Sequence, residues 1–266
     1  MVALSPVFGV VVGFALGLTG GGGSIFAVPM LVYGLAVAPR EAIGISLAAV
    51  GATALVGALQ RLQAGEVDLG TGVFFAVAGM VGAPLGSWVN GYLPEPMLLV
   101  LFAGLMAVVA IRMWCTASRA IRPLQPEPSS EAIDAAIRSG LPFTPHRAGV
   151  LAIAGLCTGV LSGLFGVGGG FVIVPALVLV GGMAMHRAVA TSLVVIALVS
   201  AAGVTSYLAA GRPLALLLTG LFVLGGIGGM GLGTRLSRKL SGPRLQKGFA
   251  VALVAVAAFI MTQHLL

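Results

Sequence analysis

Gly21, Gly22, Gly23 and Ser24 form one cluster in this sequence, and Gly168, Gly169 and Gly170 form a second. Each interrupts an apolar run. A helix that begins at such a cluster presents free N–H groups and roughly half a positive charge in its first turn. That is the chemistry of binding an anion. Glycine lets the backbone itself approach the ligand, and Ser24, at an N-cap-like position, adds a hydroxyl. Ser46, Thr191 and Ser192 open the next apolar stretch of each half. Their hydroxyls could bind substrate oxygens, or could bond back to carbonyls of their own helix. Close helix packing is the competing use of glycine. It suits Gly82 to Gly86 and Gly225 to Gly229, inside long apolar runs, better than the clusters.

What is absent narrows the chemistry further. Glu41, Glu66, Asp68 and Glu95 fall in predicted loops, and no acid lies deep in an apolar stretch. Buried acids are the usual cation ligands and proton relays of membrane pumps, so a cation substrate is disfavoured. There is no GxSG, no HExxH and no embedded Asp pair, and the chain is not expected to be an enzyme. Cys115 and Cys157 stand far apart without a CxxC, so neither a metal cluster nor any cofactor is expected. His186 and Arg187 sit where the second cluster's segment ends and read as headgroup contacts. Arg40, at the matching place in the first half, could attract anions.

The elements that hold these residues must be membrane helices. Hydrophobic residues make up 59% of the 266 and charged residues 8%. A water-facing surface needs roughly 25% charged. Leu69 to Tyr92, Ala188 to Gly211 and Gly248 to Gln263 carry no charged residue, and the first two are each long enough to cross a hydrocarbon core of roughly 30 Å. The net charge of +7 then marks cytoplasmic loops and anionic headgroups, not nucleic acid. Met1 to Pro6 lacks a positive n-region and reads as the start of a membrane segment.

The chain repeats itself. Gly17 to Leu31 lies over Gly163 to Leu177 at an offset of 146, with eight of fifteen positions identical. The same offset pairs Ser46 with Ser192, Gly57 with Gly203, Gly65 with Gly211 and Gly79 with Gly225. The expected organisation is an N-terminal repeat over 1–115, a cytoplasmic linker over 116–147 and a C-terminal repeat over 148–266. The linker region is proline-rich and charged, and Glu131 to Arg138 is predicted to form one short helix within it. Each half holds five apolar stretches. The second of each, starting at the glycine cluster, has only about 12 residues and cannot span alone. Pro29 and Pro175 are expected to kink or stop it.

Two layouts compete. If the first two stretches of each half form one broken crossing helix, Arg and Lys divide 7 against 7 between the sides. If they form a hairpin that returns to its starting side, three crossings follow and the halves are inverted. Arg61, Arg112, Arg119, Arg122, Arg138, Arg147, Arg187 and the five basic residues from Arg235 to Lys247 then share one side. Only Arg40 and Arg212 face the other, a division of 12 against 2. The positive-inside rule selects the second layout. The fold expected is therefore an all-α integral membrane protein, an inverted repeat of two halves, each a reentrant or short-helix hairpin plus three transmembrane helices. Both termini are expected outside, with the linker in the cytoplasm. Inverted repeats are a recurring transporter architecture, and the two hairpin turns are expected near mid-membrane.

The paired motifs Gly20-Gly-Gly-Gly-Ser-Ile-Phe-Ala-Val-Pro29 and Gly166-Val-Gly-Gly-Gly-Phe-Val-Ile-Val-Pro175, with Ala190-Thr-Ser-Leu193 downstream, resemble the TauE/SafE family of sulfite exporters. The first half departs from the pattern, with Gly44-Ile-Ser-Leu47 in place of Ala-Thr-Ser-Leu. The resemblance implies transport of sulfite, sulfoacetate, thiosulfate or a related sulfur-containing anion across the cytoplasmic (inner) membrane, often as export. The partners expected are this anion and the bilayer. The alternatives are a passive anion channel or a carrier of another organic acid.

Overall fold

The computed structural model describes residues 4–21, 23–119, 145–165, 170–179 and 181–265. Gly22, Gly168 and Gly169, and the short helix expected at Glu131 to Arg138, lie outside these. Among the described residues the protein is all helix and turn, with no strand. The elements are α1 (Ser5–Thr19), α2 (Gly23–Pro29, continued by a π-helical turn over Met30–Gly34), α3 (Pro39–Gln63), α4 (Leu69–Asn90) and α5 (Glu95–Arg119). In the second half they are α6 (Pro145–Phe165), α7 (Gly170–Leu179), α8 (Met185–Ala209), α9 (Leu216–Ser237) and α10 (Gly242–Leu265).

Local sequence explains where these helices begin and stop. Pro39 opens α3 and Pro6 lies in the first turn of α1, positions where a missing N–H costs nothing. Asp68 caps α4 by accepting from the Thr71 N–H at 3.1 Å. Gly20 ends α1 with φ of 74°, and its N–H returns to the Leu16 carbonyl at 2.7 Å. That left-handed conformation is one glycine adopts freely. Pro29 does not stop α2. The helix passes through it and widens into the π-helical turn, where a missing N–H is most easily absorbed. Pro175 likewise lies inside α7.

Helices α3, α4, α8 and α9 are each long and apolar enough to cross a membrane. Val73, Val77, Val81 and Leu85 of α4, and Leu217 and Leu224 of α9, point outward and exposed. So large an apolar exterior fits hydrocarbon, not water. The protein belongs to the all-α membrane class.

Close contacts between glycines and facing backbones fix the helix directions. Gly9, Gly13 and Gly17 of α1 lie against Phe222, Gly226 and Met230 of α9, so α1 and α9 run parallel. Gly155, Gly159 and Gly163 of α6 lie against Phe75, Gly79 and Ala83 of α4, again parallel. The glycines of α1 and α6 are related by the offset of 146, and their partners on α4 and α9 by 147, so matching positions in the two halves make these contacts with the partners exchanged. Gly226 beside Thr53 and Gly57 beside Met230 make α3 parallel to α9 as well. Gly44 against Tyr207 and Gly51 against Ser200 make α3 and α8 antiparallel. Lys247 lies 5.8 Å above the Trp114 ring, consistent with antiparallel α5 and α10.

α2 runs back along α1, because Gly23 meets Val12 and Leu16 whereas Gly34 meets Phe8. α1 and α2 are thus a hairpin, and α3 departs in the same direction as α1. At 15 residues α1 reaches about 22 Å, short of a hydrocarbon core. α6, with 21 residues, is long enough to span. The helix directions place Arg61, Arg119, Pro145 and Arg238 at one end of the bundle, the Arg119 end. Ser5, Arg40 and Arg212 lie at the other, the Ser5 end. Gly82 and Gly86 pack on Leu156 and Val160, and Gly225 and Gly229 on Pro6 and Val10, which is the packing role the sequence assigns to them.

Candidate functional site

The turn of the first hairpin, Gly20 and Gly21, is wholly buried. Gly21 lies directly against the carbonyl of Gly170, the first residue of α7, and close to Val174. A Cβ at Gly170 would in turn lie 3.0 Å from the Gly21 Cα. The turn that precedes one short arm thus rests on the N-terminus of the other short arm. Only residues without a Cβ allow this approach.

The position of the turn along the bundle follows from its contacts with α8. A Cβ at Gly20 would lie 2.7 Å from the Ser192 hydroxyl oxygen and 2.6 Å from the Val189 carbonyl oxygen. These residues are in the first two turns of α8, roughly 6–11 Å along its axis from the Arg119 end. Gly170 lies beside Ile196, about 16 Å along the same axis. The first turn therefore sits nearer the Arg119 end, because α1 extends along α9 as far as Gly233 and Thr234 before it stops.

The four hydroxyls expected at the site have four different fates. Ser24 is buried, and its Oγ donates to the Gly21 carbonyl at 2.7 Å, so it closes the turn from within. Ser192 donates to Gly20 O at 3.1 Å and to Val189 O at 2.9 Å, joining α8 to the turn. Thr191 accepts from the Asp68 N–H at 3.0 Å and so anchors the α3–α4 loop. Ser46 is different: its Oγ is buried and has no partner among the described residues. A buried hydroxyl without a partner costs about 1–3 kcal/mol, which a ligand oxygen would recover. Gly23 faces α1, not the gap between the hairpins, so its role is packing.

A charged group that the sequence marks only as a topology signal lies beside this turn. Arg61, at the end of α3, is only 1% exposed. Its Nη2 donates to Gly17 O at 3.1 Å and its Nη1 to Glu66 Oε2 at 3.3 Å. Glu66 reaches Arg238, at the end of α9, through Oε1 at 2.9 Å. The available signal was helical spacing. Val50, Ala54, Gly57 and Ala58 are buried on α3, and Arg61 continues that face.

At the Ser5 end the equivalent positions hold other chemistry. Tyr207 replaces Arg61 at the offset of 146, and Arg212 replaces Glu66. The Arg212 guanidinium carbon lies 5.6 Å from the centre of the Tyr207 ring, and the Tyr207 hydroxyl donates to Arg40 O at 3.4 Å. A cavity of about 310 Å³ opens there, lined by Ser87, Trp88, Tyr92, Ser206, Tyr207 and Arg212 among others. His186 Nε2 lies 3.0 Å from Leu240 O and 3.3 Å from Ser237 O. Both partners only accept, so this nitrogen carries the proton and ties α8 to the α9–α10 loop. Among the described residues no three His, Cys, Asp or Glu side chains gather as a metal site.

Residues 6–260 match the family described as Sulfite exporter TauE/SafE. The chain is 36% identical over 256 residues to a "Probable membrane transporter protein" of Xylella fastidiosa (strain 9a5c), covering 95% of this chain and 92% of that one. It is 28% identical over 263 residues to "Probable membrane transporter protein YunE" of Bacillus subtilis (strain 168), covering 94% and 93%. No solved structure matches it.

Proposed function

Because the chain belongs to the TauE/SafE sulfite exporter family and is a membrane transporter, we propose that it moves a small sulfur-containing anion outward across the cytoplasmic membrane by alternating access. Sulfite, sulfoacetate and thiosulfate are the candidate substrates. The two halves, 1–115 and 148–266, are inverted repeats about an axis in the membrane plane. The anion binds between the glycine-rich turn at Gly20 to Ser24 and its counterpart at Gly166 to Gly170, with Ser46 supplying a hydroxyl and Ser192 holding the first turn in place. Both termini face outward and the segment 116–147 faces the cytoplasm.

The observation that carries this reading is the seating of Gly21 on the first residue of α7. The turn that leads into one short arm lies on the first residue of the other, which brings the positive end of α7 to the turn, where an anion can use it. The helix directions support the inversion. α3 and its repeat partner α8 are antiparallel, and the pairs α1 with α9 and α4 with α6 exchange between halves. The basic residues divide 12 against 2 in the same layout, which supports the orientation.

Flux into and out of proteoliposomes tests the proposal. Sulfite, thiosulfate, sulfoacetate and acetate are compared with and without a pH gradient. The expected result is saturable flux of one or more of the sulfur anions above acetate. Equal, unsaturable flux of all four would identify a passive anion channel instead.

A further inference from the structure

The group Arg61, Glu66 and Arg238 is not used by the proposed central site, yet its geometry is that of an occupied anion seat. The two carboxylate oxygens of Glu66 take different guanidiniums, Oε2 on Arg61 Nη1 at 3.3 Å and Oε1 on Arg238 Nη2 at 2.9 Å. Two cations and one anion leave one positive charge in excess. Arg61 is 1% exposed, and its Nε has no partner among the described residues, a buried donor that an extra oxygen could satisfy. The Glu66 side chain keeps 33% of its surface, so the seat is open to water.

We infer that Arg61 and Arg238 form an entry seat for a small oxyanion at the Arg119 end, and that Glu66 is a tethered occupant which the oxyanion displaces. The inference rests on the transport reading above for its purpose but not for its chemistry. A carboxylate bridging two guanidiniums through separate oxygens shows that a planar or pyramidal oxyanion fits there. A halide offers both guanidiniums one and the same atom, where an oxyanion offers each its own oxygen. The seat touches the central turn through Arg61 Nη2, which donates to Gly17 O one turn before the turn begins. The Glu66 backbone stays held by its N–H on Arg61 O at 3.1 Å, so displacement needs only its one-third-exposed side chain to turn outward. The Ser5 end lacks the internal occupant: Arg212 stands where Glu66 would be, and a cavity lies open beside it. A soluble anion fits better than a lipid headgroup, because Arg61 is enclosed between α1, α3 and the Glu66 loop.

The test is sulfite binding to the purified full-length protein in phospholipid-free detergent, by titration calorimetry, with chloride as a second ligand. Glu66→Gln is expected to bind sulfite about fivefold tighter than wild type, with no comparable gain for chloride. Arg238→Gln, an exposed position, is expected to bind sulfite about fivefold more weakly, and Arg238→Lys to recover part of the loss. Unchanged sulfite affinity in Arg238→Gln overturns the seat, and this variant decides the matter if Glu66→Gln does not fold. An equal gain for chloride in Glu66→Gln also overturns it, because only net charge would then be at work. Titration with soluble short-chain phosphatidylglycerol separates the lipid source: a Glu66→Gln gain for that lipid and none for sulfite contradicts the inference. These outcomes concern binding alone. A wild type that binds sulfite in this pattern but moves none would sink the transport reading and leave the seat standing.

Discussion

The Ser192 hydroxyl donates to the Gly20 carbonyl at 3.1 Å across 172 residues of sequence, fastening the hairpin turn of the first half to the third helix of the second. The same oxygen also reaches Val189 O at 2.9 Å. Its counterpart at the repeat offset, Ser46, is equally buried and has no partner among the described residues. One member of the pair is structural and the other is free to serve a ligand.

That asymmetry predicts different outcomes for the same substitution. Ser192→Ala should lower stability by about 1 kcal/mol, seen as earlier thermal unfolding in detergent. Ser46→Ala should not lower it, but should raise the sulfite concentration for half-maximal flux. Equal destabilisation by both would remove the distinction.

The exchanged glycine contacts predict which glycines resist substitution. A Cβ at Gly13 runs into the Gly226 carbonyl, so Gly13→Leu should cost more than about 3 kcal/mol and yield little folded protein in size-exclusion profiles. Gly228 and Gly231, on the same helix as Gly226, have open space around a Cβ. Alanine there should be neutral or stabilising by up to about 1 kcal/mol, through helix propensity alone.

Inversion of the halves predicts opposite exposure of equivalent positions. Gln63 and Ala209 are exposed at the ends of α3 and α8 and are related by the offset of 146. Single cysteines at these two positions, with Cys115 and Cys157 replaced, should label from opposite faces of intact cells. Residue 63 should be reached only after permeabilisation. Labelling of both from one face would reject the inverted arrangement.

The membrane class was legible in the sequence because hydropathy and charge are properties of composition, and lipid demands both. The first hairpin was legible for a related reason: a helix direction decides which side each arginine faces, so the charge division carries the directions of α1 and α3. The fates of the hydroxyls were not legible. Ser24 and Thr191 satisfy themselves on Gly21 O and the Asp68 N–H, partners that only the folded turn and loop supply. Arg61 was read as one more basic residue at a loop, because its burial depends on how far α1 reaches along α9. The pairing of Arg61 with Tyr207, and of Glu66 with Arg212, was nonetheless present at the repeat offset. A charge in one half matched by a different group in the other marks where the two ends of the bundle differ in chemistry.

The central claim is that substrate passes the contact between the two hairpins, and Gly21→Val tests it most directly. A side chain at this position runs into the Gly170 carbonyl, whereas one at Gly104 meets nothing within 4 Å. Sulfite flux from proteoliposomes holding equal amounts of folded protein should fall by more than about tenfold in Gly21→Val and stay at the wild-type rate in Gly104→Ala. Wild-type flux in Gly21→Val would contradict the account.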